Sequence, residues 1–234
     1  GISMKHNPEF TMLEWYEAYA DYEKTASDLE QLVHGVAVEV LGSSSIERDG
    51  KSIDLTPPWR RVTLRDAILE HAGIDIEIET TREKLAAAMG VELESDVGWG
   101  KLVDTVFSKR VEPTLIEPTF ILDYPKELSP FAKAHRSKEG VVERWEAFLG
   151  GVEIANSFSE LNDPDEQRRR FEQQAEELAR GDDEAQPYDE SFIEALEQGM
   201  PPTGGVGLGI DRLVMMLTGA SSLREVVLFP AMRD

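Results

Sequence analysis

Cysteine is absent from this 234-residue chain, and the chain has no long apolar run. Without cysteine it can form no disulfide and bind no zinc through thiolates. A membrane-spanning helix needs about 18 consecutive apolar residues, so we expect none. The first ten residues, GISMKHNPEF, also lack the apolar core of a secretion signal. These absences are compatible with a cytoplasmic location, and that is the location we expect.

Basic residues are few: 24 Lys and Arg stand against 46 Asp and Glu, which gives a net charge of -22. Such a surface repels phosphate backbones, so contact with a nucleic acid needs a local basic patch or a part of the molecule outside this chain. The strongest basic cluster, RRRF at 168–171, lies among Glu and Gln on a predicted helix. Ion pairs on a solvated face explain that cluster more simply than nucleic-acid binding does.

Hydrophobic periodicity predicts a mixture of hairpins and helices. Strands are predicted at 9–16, once within 43–62, at 119–125, as two strands joined by a turn within 142–161, at the start of 202–219, and at the end of the tail 223–234. Helices are predicted before Gly42, over most of 63–112, after Asp163, over 189–201 and up to Gly219, with an acidic loop at 181–189. Strands and helices do not alternate regularly. The pattern therefore favours an α+β fold, an antiparallel sheet flanked by helices, with a helical insertion at about 63–118.

Local signals mark where some of these helices begin and end. Gly42 can close a helix whose predicted apolar stripe consists of Leu29, Leu32, Val33, Val36 and Val40. Thr63 and Asp163 are placed to cap helices at their N-termini. Thr80 and Glu83 have the spacing of a capping box.

Two glutamates flank the turn predicted at Gly150–Gly151. A two-residue turn pairs position 149 with 152, 148 with 153 and 146 with 155, which puts Glu146 and Glu153 on one face. Two close carboxylates repel each other unless a cation lies between them. Magnesium with nucleotide phosphates is the usual cation in an oxygen-rich site without cysteine. The alternative is a pair of solvated surface glutamates.

Asn156, Phe158 and Glu160 repeat with a period of two along the second strand of this hairpin. Strict alternation would put them on the face opposite Glu153. For all four side chains to serve one pocket, the strand needs a bulge or twist near Ile154 or Ala155, and bulges are common at functional sites. The alternative is that Phe158 belongs to the core and Glu160 merely precedes the next helix.

The opening segment and the glycine-rich segment carry further candidates. His6, with its neighbours Lys5 and Asn7, could hold an anionic ligand, although a lone histidine is more often structural. Phe10, Met12, Glu14 and Tyr16 share one face of the first predicted strand, and Phe10 either stacks on a base or packs in the core. The segment GGVGLGIDR fits neither a Walker loop nor a dinucleotide fingerprint. Arg212 at its end could contact a base or a phosphate, or pair with Asp211 or another acid.

In their order along the chain, these stretches resemble the class II lysyl-tRNA synthetases of the bacterial type. The segment GISMKHNPEFTMLEWYEAYADY is similar to the second half of that family's motif 2 region, and ERWEAFLGGVEIANSFSELNDP to its metal- and lysine-binding hairpin. GMPPTGGVGLGIDRLVMMLTG is similar to motif 3, and EVVLFPAMR to the family's C-terminus. The resemblance covers the whole chain. It implies that residues 1–234 are part of a class II catalytic domain, truncated at its N-terminus.

The resemblance also implies roles for individual positions. Nucleotide contacts are implied for His6, Asn7, Phe10, Gly207 and Arg212, with Phe10 beneath the adenine and Arg212 on the other side of the ring. The lysine pocket is implied for Glu14, Tyr16, Asn156, Phe158 and Glu160. Magnesium is implied at Glu146 and Glu153, and catalytic roles at Arg212 and His6. A lysine ammonium taken out of water needs a carboxylate partner, which Glu160 would supply.

The implied reaction joins lysine and ATP to lysyl-adenylate and pyrophosphate, and then transfers lysine to tRNA(Lys). The implied partners are ATP, L-lysine, tRNA(Lys) and Mg²⁺, with no membrane, and the full-length family implies a homodimer. The chain begins after the place of the family's motif 2 arginine, so we expect it to be a fragment of a longer protein. Lys5 stands where the family often has arginine, and Ser157 stands where glycine is common.

Two alternatives remain open at this point. One is the related ligase that attaches lysine-like amino acids to a translation elongation factor, since that enzyme carries a segment like HNPEFTMLEWY. The segments SELND and FPAMR favour the synthetase. The other is a non-catalytic fragment or paralogue that binds a nucleotide or a protein partner.

Overall fold

A computed structural model describes residues 3–92, 97–129, 131–179 and 187–230. Within these residues the strands are β1 (Met12–Ala18), β2 (Ser45–Arg48), β3 (Lys51–Asp54), β4 (Arg60–Thr63), β5 (Thr119–Leu122), β6 (Arg144–Leu149), β7 (Val152–Ser159) and β8 (Thr203–Gly209). The α-helices are α1 (Tyr22–Leu41), α2 (Leu64–Ala72), α3 (Arg82–Met89), α4 (Trp99–Val106), α5 (Pro164–Ala179), α6 (Glu190–Glu197) and α7 (Ile210–Thr218). No helix in the described ranges is long and apolar enough to cross a membrane.

The main sheet has six strands in the order β1-β8-β7-β6-β5-β4, and helices cover both of its faces. Successive side chains of β6 point to opposite faces: Trp145 and Ala147 pack with α1 and α7, whereas Phe148 packs with α2 to α4. Each face therefore has its own apolar core. The α+β class predicted from the sequence is confirmed.

One strand pair departs from the expected antiparallel arrangement. β4 and β5 are parallel neighbours, whereas every other pair in the sheet is antiparallel. Parallel neighbours need a long crossover that returns the chain to the same end of the sheet. The segment that carries α2, α3 and α4 supplies that crossover, and it lies in the stretch predicted to be helical.

The prediction of one strand within 43–62 is wrong, because this stretch forms three. β2 and β3 pair with each other around Asp49–Gly50, where both residues have positive φ, 49° and 74°. An Asp-Gly turn of this kind matches the twist of a two-residue hairpin. β4 then joins the edge of the main sheet beside β5.

α1 ends as predicted, at Gly42 with a φ of 70°. Its predicted apolar stripe is only partly buried. Leu29 and Val33 are inaccessible to solvent, whereas Leu32 and Val40 are exposed. The buried side of the helix consists of two adjacent rows spaced by four residues, 22/26/30 and 25/29/33/37, and Leu32 and Val40 lie outside both rows.

Two of the three predicted N-terminal caps are confirmed. The Thr63 side chain accepts the backbone N–H of Asp66, and the Asp163 side chain accepts those of two residues in the first turn of α5. The third is displaced by one residue: Thr81, and not Thr80, accepts the backbone N–H at position 84. Two adjacent threonines offer the same cap chemistry, and the backbone geometry selects the second.

The turn between β6 and β7 is the predicted Gly150–Gly151, with φ angles of 61° and 73°. Phe148 faces Glu153 as expected, but Ala147 then faces Ala155, so one extra residue lies on β7. Glu146 consequently faces Asn156, which corrects the expected pairing with position 155. The extra residue is Ile154, so the bulge predicted near Ile154 or Ala155 is confirmed.

The strand predicted at the end of the tail is wrong within the described residues. Leu223–Glu225 form a 3₁₀ turn, and the segment up to 230 is irregular, with Leu228 and Phe229 exposed. An apolar run becomes a strand only where a neighbouring strand edge pairs with it. The acidic loop expected at 181–189 falls largely on 180–186, which lie outside the described residues, as does 231–234.

Candidate active site

A cavity of about 390 Å³ lies beside β1, β7 and β8 and collects nearly all the predicted site residues. Those that line it are His6, Asn7, Phe10, Glu14, Tyr16, Glu153, Asn156, Phe158, Glu160, Gly207 and Arg212. Glu146 does not line it. The structure thus brings the candidates together, while the role of each residue stays a prediction.

The cavity exists because large side chains on β1 face glycines on β8. Glu14 pairs with Gly207 and Tyr16 pairs with Gly205. A Cβ at Gly205 would lie only 1.9 Å from Oε1 of Glu160. The carboxylate therefore occupies the space that any other residue at position 205 would fill.

The bulge at Ile154 decides which side chains of β7 enter this cavity. In a regular strand Glu153 and Asn156 would point to opposite faces. The extra residue restores them to one face, and Glu153, Asn156, Phe158 and Glu160 all line the cavity. Glu160 therefore does more than precede the next helix, because its side chain lines the cavity.

Glu160 is a half-buried acid that lines one end of the cavity, next to Tyr16 and Gly205. Burial alone raises the pKa of its carboxyl to about 7. The pKa of Tyr16 is also raised, first by burial and then by the nearby charges of Glu160 and Glu14. This end is acidic, and Phe158 forms a half-buried wall beside it. The arrangement favours a cation attached to an apolar stem.

The other end of the cavity carries Arg212. Its Nη1 donates to the backbone oxygen of Glu153 at 2.7 Å and to Oε2 of Glu153 at 3.2 Å. The acid that pairs with this arginine is therefore Glu153 and not Asp211. Asp211 instead accepts the backbone N–H of Thr11 at 2.6 Å, which fixes the opening segment against α7.

The opening segment lies over the same end. His6 is exposed, yet its pKa is lowered, first by partial burial and then by the charges of Arg212 and Lys5. Lys5 donates its Nζ to Glu112. Phe10 has 58% of its surface exposed, so the alternative that it belongs to the core is wrong. An exposed ring near two basic side chains is suited to a flat, anionic ligand.

Glu146 lies on β6, next to the cavity-lining strand β7, where it faces Asn156. Its carboxylate accepts a hydrogen bond from Tyr124 at 2.7 Å and another from Arg144. Burial raises its pKa to about 7, and the charge of Glu153 contributes in the same direction while Arg144 opposes it. The carboxylate of Glu153 is therefore close enough for its charge to raise the pKa of Glu146.

The donor set is compatible with magnesium bound mainly through a substrate. Within the described ranges no cluster of three or more His, Asp or Glu could hold a metal by itself. Magnesium usually binds one or two protein carboxylates and completes its shell with phosphates and water. The carboxylates of Glu146 and Glu153 are two such ligands and fit that pattern.

Comparison with known proteins decides the family. The model of the family described as tRNA synthetases class II (D, K and N) matches residues 1–233. The chain belongs to the class II tRNA synthetases.

Relatives within this class II family are similar over the whole chain. The lysine–tRNA ligase of Moorella thermoacetica is 53% identical over 236 residues, which cover 100% of this chain and 48% of that protein. The lysine–tRNA ligase of Thermosynechococcus vestitus is 54% identical over 237 residues, 100% of this chain and 47% of that protein. The lysine–tRNA ligase of Nostoc punctiforme is 52% identical over 239 residues, which cover 100% of this chain and 42% of that protein. The chain spans about half the length of the curated relatives it matches.

Three residues of this class II site were not predicted from the sequence. Gly205 makes room for Glu160, and Tyr124 and Arg144 bind Glu146. A signal was available for Arg144, because it precedes Glu146 by two residues and so shares its face of β6. No local signal identifies Tyr124, which follows β5 and reaches Glu146 on the neighbouring strand β6.

Proposed function

We propose that this chain is part of the catalytic domain of a lysine–tRNA ligase, with residues at about 63–118 supplying a helical insertion. The observation that carries the proposal is Glu160, a half-buried carboxyl in the lining of a cavity of about 390 Å³, whose pKa is raised to about 7 by burial alone. The curated relatives described above bear the name lysine–tRNA ligase, which supports the same substrate.

Lysine fits the cavity with its ammonium at Glu160. The ion pair would neutralise a carboxylate that otherwise lies in a poorly hydrated place, and the aliphatic stem would lie along Phe158. Glu14 and Tyr16 lie on β1 beside that end. Asn156, nearer the middle of the cavity, would contact the α-carboxylate.

ATP fits the end that holds Arg212, His6, Asn7 and Phe10. Phe10 would lie beneath the adenine, with the Arg212 guanidinium on the other side of the ring and Gly207 close by. One oxygen of the lysine carboxylate would then attack the α-phosphorus. That P–O bond forms as the bond to the pyrophosphate oxygen breaks, which yields lysyl-adenylate and pyrophosphate. Positioning and charge neutralisation supply the catalysis, and no side-chain nucleophile is needed.

Magnesium is the cofactor we propose, with Glu146 and Glu153 as the residues that hold it. When bound, it would neutralise phosphate charge during pyrophosphate departure. Arg212 and His6 would assist from the protein side, since Arg212 already links the Glu153 carboxylate to the nucleotide end of the cavity.

In the second half-reaction a terminal hydroxyl of tRNA(Lys) would attack the adenylate carbonyl and release AMP. The net charge of -22 means that this chain attracts tRNA poorly over most of its surface, so we assign the main tRNA contact to the rest of the protein. A homodimer and a cytoplasmic location belong to the same proposal.

Calorimetric titration of the chain with L-lysine and with L-norleucine tests the amino-acid assignment. Norleucine has the same stem but a methyl group in place of the ammonium. We expect lysine to bind at least about 100-fold more tightly, because norleucine would leave the Glu160 carboxyl without a partner. Equal affinities for the two amino acids would overturn the proposal.

Lysine-dependent exchange of pyrophosphate into ATP tests the reaction itself. Subsequent transfer of lysine, with tRNA(Lys) and a translation elongation factor offered separately, distinguishes the synthetase from the related protein-modifying ligase. Lysine and ATP binding without any exchange would favour the non-catalytic nucleotide-binding alternative for the chain on its own.

A further inference from the structure

Arg144, the first residue of β6, touches three predicted site residues although it does not line the cavity. Its Nε donates to Oδ1 of Asn156 at 3.1 Å, and its guanidinium also donates to the carboxylate of Glu146. Its Cζ lies 5.5 Å from the ring centroid of Phe158. The Arg144 side chain therefore contacts residues assigned to lysine binding, Asn156 and Phe158, and one assigned to metal binding, Glu146.

The guanidinium is itself held from behind. Nη1 donates to the backbone oxygen of Leu128 at 2.8 Å and to Oγ of Ser129 at 2.7 Å. The Tyr124 ring stacks on it, with Cζ 4.5 Å from the ring centroid. Only 15% of the Arg144 side chain is exposed. These contacts fix the planar group in one orientation, as the fork geometry of arginine allows and that of lysine does not.

This orientation determines how the Asn156 amide is turned. A guanidinium has five N–H donors and no acceptor, so only the amide oxygen of Asn156 can face it. The Nδ2 donors of Asn156 then point away from Arg144, which leaves them free for another partner, and Asn156 lines the cavity. With the amide reversed, two donors would meet and the carbonyl oxygen would face the ligand.

We propose that Arg144 is a positioning residue that holds the Asn156 amide with its donors toward the amino-acid carboxylate. The inference rests on the proposed function, since it takes an amino acid as the ligand. Arg144 contacts no ligand itself. Its effect is a preference for ligands that carry a carboxylate beside the apolar stem.

Cadaverine gives the matched probe, because it is lysine without the carboxylate. In calorimetric titrations without ATP or metal, Arg144→Met should raise the Kd for L-lysine about tenfold, which corresponds to loss of one well-oriented hydrogen bond to a charged group. The same variant should change the Kd for cadaverine less than about twofold. A purely structural role would weaken both ligands alike, and that result would overturn the proposal.

A double-mutant cycle supplies a second, independent readout. If Arg144 acts through Asn156, then adding Arg144→Met to Asn156→Ala should cost less than about twofold in lysine affinity beyond Asn156→Ala alone. Full additivity would overturn the proposal, whatever the cadaverine result. Arg144→Lys, which keeps the charge but not the fork, replaces Arg144→Met in both experiments if the latter does not fold, with the same criteria.

Arg61 offers a matched control outside the cavity. It also pairs with a glutamate, Glu30 at 3.2 Å, and its Cζ lies 5.3 Å from the ring centroid of Phe120. Arg61→Met should leave the Kd values for lysine and cadaverine unchanged. A wild-type chain that binds no lysine would overturn the proposed function, whereas wild-type binding with unchanged Arg144→Met affinity would overturn the role of Arg144 alone.

Discussion

Glu160 occupies a place where its protonated form is favoured. Burial raises the pKa of its carboxyl to about 7, so acid and carboxylate coexist near neutral pH. A bound ammonium would favour the carboxylate and draw the pKa down again. Ligand affinity and protonation at this residue are therefore linked.

We expect lysine affinity to fall as the pH is lowered from about 8 to about 6, because Glu160 must lose its proton before it can accept the ammonium. Below the pKa of about 7 the fall approaches about tenfold per pH unit. Glu160→Gln should bind lysine on the order of 100-fold more weakly at pH 8 and lose this dependence. Calorimetry at several pH values measures both effects, and an unchanged slope in the variant would contradict the assignment.

Two adjacent glycines of β8 should respond differently to the same substitution. Gly205→Ala would place a Cβ 1.9 Å from Oε1 of Glu160, so we expect the Kd for lysine to rise at least about tenfold with a smaller effect on ATP. In Gly204→Ala the new Cβ would point to the other face of the sheet, where it would lie 2.7 Å from Cγ2 of Thr25. This substitution should lower the melting temperature by roughly 3 °C or more through overpacking. It should leave the ratio of lysine to ATP affinity unchanged, and both constants and melting curves are measurable on the same samples.

Residues whose side-chain chemistry suggests a role could be predicted from the sequence. Residues whose importance depends on which atoms pack beside them could not. Glu160, Asn156 and Arg212 have side chains whose chemistry fits the roles that the family resemblance implies, and all three line one cavity. The importance of Gly205 depends on which atom lies beside its missing Cβ, and that is fixed only by the packing of β1, β7 and β8. The role of Tyr124 could not be predicted for the same reason, since its contact with Glu146 depends on how β5 and β6 pair.

At the scale of elements, the turn between β6 and β7 sets the register of the hairpin that carries both glutamates. Gly150 and Gly151 both adopt positive φ, a conformation that costs other residues about 1–2 kcal/mol. The space around Gly151 is ordinary, because a Cβ would lie 3.5 Å from the nearest atom, the backbone oxygen of Pro113. Any penalty at position 151 would therefore come from backbone conformation rather than from a clash.

Gly151→Ala should lower the melting temperature by roughly 2–4 °C, the change that corresponds to about 1 kcal/mol in a domain of this size. Gly151→Asn should recover part of the loss, because asparagine tolerates the left-handed region better than alanine. Differential scanning calorimetry of the three chains provides the comparison. Identical melting temperatures for alanine and glycine would show that the turn does not require this conformation.

Elements with strong local signals were predictable, and those that depend on distant partners were not. The Gly150–Gly151 turn and the cap at Asp163 are encoded within a few residues. β4 is only four residues long and becomes a strand by pairing with β5, which lies beyond three helices. The apolar tail shows the converse, since its pattern suits a strand but no described strand edge pairs with it.

At the scale of the whole molecule, the charge imbalance is the dominant electrostatic feature. A net charge of -22 produces self-repulsion that weakens the folded state. Raising the salt concentration shortens the screening length from about 10 Å at 0.1 M to about 3 Å at 1 M. The repulsion between exposed carboxylates should fall accordingly.

We expect the melting temperature to rise by roughly 3 °C or more between 0.1 M and 1 M NaCl. A variant with the exposed acids Glu39, Glu47 and Glu139 replaced by Gln should melt higher at 0.1 M and gain less from added salt. Thermal scans at four or five NaCl concentrations provide the test. A melting temperature that is independent of salt in both proteins would show that self-repulsion is not a significant term.

The fold class of the whole molecule could be predicted, because the resemblance covers the chain and the family match confirms it. The strand order could not. β1 lies beside β8, so the first and last strands within the described residues are neighbours. Nothing in the local pattern of either strand indicates that contact, which follows from closing the apolar cores on both faces.

Because of the single extra residue at Ile154, the number of residues between the turn and Glu160 cannot change without altering which face of the sheet each side chain occupies. Removing one residue from this stretch would rotate either Glu153 or the row that contains Asn156 to the far side of the sheet. In a homologue whose alignment shows a one-position gap here, we therefore expect these side chains to be divided between the two faces of the sheet, even when every one of them is retained.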